Sequence, residues 1–160
     1  MTDPQEEKVQ KIVIEELEQL GYRNHYKHQT EIVITWCGRE SHTDKPDFVV
    51  FTKFRGLEEP VFIIEAKSPE ESINSENHVN QARSYAFWYK GKTVPLTPYF
   101  VLFNGKEATV YNTVTGDRVA KGKSLKEVLP RYEETEKIIE NFLDCILRMR
   151  WGKQNERLNR

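Results

Sequence analysis

Residues 48–51 (Phe-Val-Val-Phe) and 61–64 (Val-Phe-Ile-Ile) are unbroken runs of β-branched and aromatic side chains. Such runs suit short strands covered on both faces rather than strands with one wet side. Pro46 fits the start of the first strand, where no ladder donor is required. Residues 53–60, with Gly56, predict a hairpin-like connection between the two. Upstream, Val9, Ile12, Val13, Leu17 and Leu20 recur at helical spacing, which predicts an amphipathic helix over 4–20. Asp3 and Pro4 supply its cap and first position, and Gly21 its stop. Residues 22–30 read as a loop, 31–36 as a first strand and 37–45 as a polar loop.

Downstream, Ser68-Pro69 closes the second apolar strand, and Asn74 or Ser75 caps a helix from 76 to about 90. Its apolar line is Val79, Ala82, Ala86 and Tyr89, with Tyr85, Phe87 and Trp88 beside it; Gly91 stops it. Residues 98–103 and 107–112 predict two strands joined by the hairpin signal Asn104-Gly105. From Arg131 a last helix runs to about Arg150 on a stripe of Ile138, Ile139, Phe142, Leu143, Ile146 and Leu147.

Charged residues sit at the ends of the two most apolar strands. Asp47 opens the first, while Glu65 and Lys67 end the second and share a face at strand period. Ionised groups at a buried strand end are costly unless paired or bound to a metal. One reading is that Glu65 and Lys67 have emerged into solvent. The other is a shared site, because Asp47 is placed where a neighbouring strand could bring it alongside. Glu6 and Glu16 fall on or beside the first helix's stripe and are expected at its solvated margin, with an inward carboxylate as the alternative.

With 160 residues, 38% of them hydrophobic, the chain can build one core, and two domains would be crowded. A net charge of −1 means that any phosphate-binding surface is local. Cys37 and Cys145 lie far apart and signal neither a disulfide framework nor a zinc site, which fits a reducing, cytoplasmic setting. The acidic N-terminus does not have a secretory pattern, and no apolar run reaches membrane-spanning length. His25 and His28 lack further ligands at suitable spacing and read as surface histidines. Gly122-Lys123-Ser124 invites a phosphate-loop reading, but Gly116 and Gly122 enclose five residues where the pattern needs four, and Pro130 interrupts any following helix. The basic tail (Arg148, Arg150, Lys153, Arg157, Arg160) reads as a solvated helix end or linker.

Pro46-Asp47 followed by Glu65-Ala66-Lys67 resembles the PD-(D/E)xK nuclease signature. Gln81-Ala82-Arg83-Ser84-Tyr85 resembles the QxxxY helix motif of one branch of these nucleases. The strand and turn Phe100–Gly105, and the opening helix with its Leu20-Gly21-Tyr22 stop, resemble that branch too. Together, over roughly residues 4–115, they resemble the N-terminal nuclease domain of the restriction (R) subunit of type I restriction-modification enzymes. The resemblance implies an α/β restriction-endonuclease-like fold: a central mixed sheet flanked by helices, in the order α-β-β-β-α-β-β, plus a C-terminal helix. It implies one nuclease-like domain over 1–160, with a core of about 4–115 and a helical extension of about 124–152.

The implied activity is Mg²⁺-dependent endonucleolytic hydrolysis of DNA, with Mn²⁺ able to substitute. Asp47, Glu65 and the Ala66 backbone carbonyl would be the metal ligands, and Lys67 would orient or deprotonate the attacking water. Gln81 and Tyr85 would support the site, and Glu6, three before Val9, is preferred over Glu7 as a further carboxylate. The implied partners are double-stranded DNA and other subunits or domains of a restriction-modification complex, with no membrane. Type I R subunits continue into an ATP-driven motor, and this chain has no Walker A motif and no ATP site. An excised N-terminal domain or a stand-alone relative is therefore expected, with weak intrinsic DNA affinity and Lys45, Lys67, Lys90 and Lys92 as local contacts. The alternative is a non-catalytic DNA-binding or protein-docking module that retains a nuclease-like fold.

Overall fold

The structure, a computed structural model, describes residues 3–36 and 40–158. Helix α1 (Pro4–Gln19) is followed by strands β1 (Tyr26–His28), β2 (Ile32–Trp36), β3 (Glu40–Asp44), β4 (Phe48–Phe54) and β5 (Leu57–Ala66). Helix α2 (Glu76–Trp88) leads to β6 (Tyr99–Phe103), β7 (Ala108–Asn112) and β8 (Arg118–Gly122). A short α3 (Leu125–Val128), a 3₁₀ turn (Tyr132–Glu134) and α4 (Thr135–Leu158) complete the chain. Six strands form one mixed sheet in the order β1-β4-β5-β6-β7-β8, and β2 and β3 form a separate hairpin. Only the β5–β6 pairing is parallel among the ladders of the large sheet, because α2 carries the chain across between them. This is the expected α/β, restriction-endonuclease-like class.

The apolar runs are buried on both sides, as their lack of alternation predicts. Phe48 and Val50 join Phe62, Ile64 and Ala66 in a core with Val9, Val13 and Leu17 of α1, Leu125 of α3 and Ile139 of α4. Val49, Phe51 and Ile63 face the other way, into a core with Ala82, Tyr85 and Ala86 of α2 and Ile32 of the hairpin. A bulge where Val50 pairs with Phe62 and Phe51 with Pro60 leaves Val61 unopposed, so Val61 and Phe62 enter the same core. Asp3 caps α1 by accepting the Gln5 N–H at 3.0 Å, and Ser75 caps α2 through the His78 N–H at 3.4 Å.

Several expectations change. The loop predicted over 22–30 contains β1, an edge strand that pairs Tyr26–His28 with Val50–Phe48. Part of the polar loop predicted over 37–45 is β3, paired with β2; the first predicted strand therefore belongs to the hairpin, not to the central sheet. β8 has no apolar alternation and forms because β7 offers it an open edge. The last helix starts at Thr135 and runs to Leu158, and its stripe is buried only at Ile139, with Leu147 exposed. Glu16, expected at a solvated margin, is 7% exposed and accepts the Leu125 N–H at 3.4 Å, at the start of α3.

Gly122-Lys123-Ser124 ends β8 and precedes a four-residue helix, and the Glu127 carboxylate takes the Lys123 N–H at 2.8 Å where a phosphate loop would need an anion. Cys37 and Gly38 lie outside the described residues, as do the side chains of Arg150, Lys153, Arg157 and Arg160; Cys145 is a free, exposed thiol. No helix among the described residues is long and apolar enough to cross a membrane.

Candidate active site

β4 and β5 run antiparallel with Phe48 opposite Ile64, so the next step of the register sets Asp47 opposite Glu65. The two residues clamp one another's strands. The Asp47 N–H donates to Glu65 Oε1 at 2.8 Å, and the Ala66 N–H donates to Asp47 Oδ2 at 2.8 Å. Each carboxylate thus commits one oxygen to the opposite backbone, and the second Asp47 oxygen, Oδ1, accepts the Gln10 amide at 3.4 Å. Both groups are withdrawn from water, at 9% and 6% exposure. The reading in which Glu65 emerges into solvent is thereby set aside.

The electrostatics follow from this placement. Burial and then the Asp47 charge push the Glu65 carboxyl well above the ordinary range, against the Asp47 N–H and Lys67. Burial also raises Asp47, opposed by the Ala66 N–H, by Lys67 and by His28. Glu6, in the first turn of α1, is raised by its partial burial and then by Asp47, with Lys67 acting the other way. Glu7 is exposed. Three carboxylates therefore share one nearby ammonium, and their repulsion is the kind a bound cation relieves. Oxygen donors on a fixed backbone are of the kind that suit a hard divalent ion. Among the described residues no three His, Cys, Asp or Glu side chains converge closely enough to form a metal site by themselves. The carboxylates brought together are those of Asp47 and Glu65, with Glu6 beside them.

Lys67 lies just past β5, and its N–H donates to the Phe103 carbonyl at 2.8 Å, which extends the parallel ladder and fixes its backbone. Its side chain is half-buried and makes no ion pair among the described residues. The turn after β6 holds the loop that follows Lys67. Asn104 Oδ1 accepts the Lys106 and Glu107 N–H groups at 3.0 and 2.8 Å, and its Nδ2 donates to the Glu71 carbonyl at 3.0 Å.

The other expected residues stand further out. Tyr85 is buried on α2 near Glu65, yet its hydroxyl donates to Asp44 Oδ2 at 2.9 Å. Burial and that bond raise its pKa, with the Gln81 amide beside it opposing. Gln81 itself is exposed, with its amide beside the Tyr85 hydroxyl. Lys45 lies 4.0 Å from Glu31, and Lys90 and Lys92 are exposed. His25 stacks on Tyr132 and meets Glu58 at 3.3 Å, while His28 stacks on Phe48 at 4.7 Å.

Gln10 and Asp44 are missed by sequence reasoning. Gln10 offered one signal, a polar residue beside Val9 on the buried margin of α1. Asp44 offered none, because its role depends on where the hairpin folds back.

The family model described as Type I restriction enzyme R protein N terminus (HSDR_N) matches residues 22–119. No curated protein and no solved structure matches the chain.

Proposed function

The chain belongs to the type I restriction enzyme R protein N-terminus family, and from that premise we propose that it is a Mg²⁺-dependent DNA endonuclease. The observation that carries the reading is the reciprocal clamp of Asp47 and Glu65, which holds two buried carboxylates side by side at adjacent strand ends. A hard divalent cation, Mg²⁺ or Mn²⁺, held by Asp47, Glu65 and the Ala66 carbonyl would neutralise phosphate charge and acidify water.

The residues of the chain do the rest. Asp47 and Glu65 are kept in place by backbone N–H groups, so little reorganisation is needed when substrate arrives. Lys67, just beyond Glu65 and without an ion pair among the described residues, meets the phosphate and orients the attacking water or takes its proton. Water adds to phosphorus as the bond to the leaving sugar oxygen breaks. Glu6 approaches from α1 as a further carboxylate. Gln81 and Tyr85 act in support, Tyr85 by tying α2 to Asp44. Double-stranded DNA is the proposed substrate, in a cytoplasmic restriction-modification complex whose other subunits or domains supply targeting. The local cations Lys45, Lys90 and Lys92 give weak affinity on their own.

Purified protein is expected to nick plasmid DNA with Mg²⁺ or Mn²⁺, and Lys67→Ala to cut at least about 100-fold more slowly while keeping its unfolding temperature. Unchanged cleavage by Lys67→Ala would remove Lys67 from the mechanism. A docking module with a nuclease-like fold predicts instead no metal binding by the wild type in calorimetry.

A further inference from the structure

We propose that Gln10 is a positioning residue that sets the Asp47 carboxylate for cation binding, an inference that rests on the metal-dependent reading above. A carboxylate held through one oxygen can still tilt about that contact. Asp47 Oδ2 is pinned by the Ala66 N–H at 2.8 Å, and the Gln10 amide at 3.4 Å from Oδ1 supplies the second point that defines the plane of the group. The amide comes from a different element, so it ties α1 to the start of β4.

Gln10 is itself well placed to act as a fixed donor. It is 7% exposed, and its neighbours Val9 and Val13 are buried in the core beneath the sheet. The β6–β7 turn packs on the adjacent Val9, where a Cβ built on Gly105 would lie 3.4 Å from Val9 Cγ2. Glu6 lies one helical turn before Gln10, so one face of α1 presents a carboxylate and then an amide to the Asp47 side of the site. A buried amide needs a polar partner, and Asp47 provides it. Donors that orient ligating carboxylates typically matter about 10–100-fold in metal affinity.

The test is calorimetric titration of Mg²⁺ and Mn²⁺ into the full chain, wild type against Gln10→Met, which keeps the side chain's length without its amide. Thermal unfolding without metal is measured in parallel. The expected result is an affinity about 10-fold lower in Gln10→Met with the unfolding temperature of the metal-free protein retained. Gln10→Leu repeats the measurement with a second apolar shape should Gln10→Met fold poorly. Wild-type affinity in either folded variant overturns the inference and leaves the metal reading standing. No binding by the wild type overturns the metal reading and this inference with it.

Discussion

Tyr85 offers a direct test of whether α2 supports the site itself or anchors the β2–β3 hairpin. Its hydroxyl donates to Asp44 Oδ2 at 2.9 Å, and the ring is 4% exposed. A hydrogen bond to a charged acceptor contributes about 1.5–3 kcal/mol, and half-burial of Asp44, which lets water compete, reduces this to roughly 1–2 kcal/mol. Tyr85→Phe removes the donor and keeps the ring in its core. For a chain of 160 residues, that loss corresponds to a fall in unfolding temperature of about 2–8 °C.

Asp44→Ala removes the acceptor, and with it the bond from the Lys45 N–H to Asp44 Oδ1 at 2.9 Å. That second loss occurs equally in the single and double variants, so it cancels in a double-mutant cycle. Urea unfolding of the four proteins is expected to give a coupling of about 1–2 kcal/mol. A coupling below about 0.5 kcal/mol, the scatter of independent sites, would refute the anchoring role. Plasmid cleavage adds a functional reading: a hairpin anchor predicts that Tyr85→Phe and Asp44→Ala slow cutting alike. A loss confined to Tyr85→Phe would place the hydroxyl in the site.

Two further outcomes are expected. Burial raises Glu65, Asp47 and Glu6 above ordinary carboxylate values, so the folded chain binds protons that the unfolded chain releases. Their contribution to stability is complete below the ordinary carboxylate range and is lost as pH rises through the raised values; metal-free protein should thus unfold at progressively lower urea as pH rises above the ordinary carboxylate range. Glu65→Gln should flatten that dependence, and an unaltered slope would contradict the charge assignment. Gly91→Ala would drive a Cβ into the Glu59 carboxylate and to 2.7 Å from Pro60 Cδ and Val94 Cγ2. Because Glu59 is fully buried and accepts the Thr93 and Val94 N–H groups at 2.7 and 3.4 Å, a loss of roughly 2–4 kcal/mol is expected in urea unfolding, and a loss below about 0.5 kcal/mol would show that the loop yields freely.

Much of the fold is legible along the chain because it is written in local periodicity. The stripe of α1, the unbroken runs of β4 and β5 and the Asn104-Gly105 turn each specify their element without help from distant residues. The candidate residues Asp47, Glu65 and Lys67 are legible in the same way, since they stand where apolar strands end. What tertiary structure decides is whatever depends on a partner far away in sequence. Tyr26-Lys27-His28 and residues 118–122 have weak patterns of their own and become strands because β4 and β7 present unpaired backbone to them. Glu16 turns inward because Leu125, more than a hundred residues later, brings an N–H to meet it. The same holds at the site. Three charged residues could be named from sequence, but the backbone N–H groups that clamp two of them, and the Gln10 amide that reaches Asp47, come together only when α1, β4 and β5 pack. Hydrogen bonds between elements leave no periodic trace in the sequence, because they depend on distance in space and not on spacing along the chain.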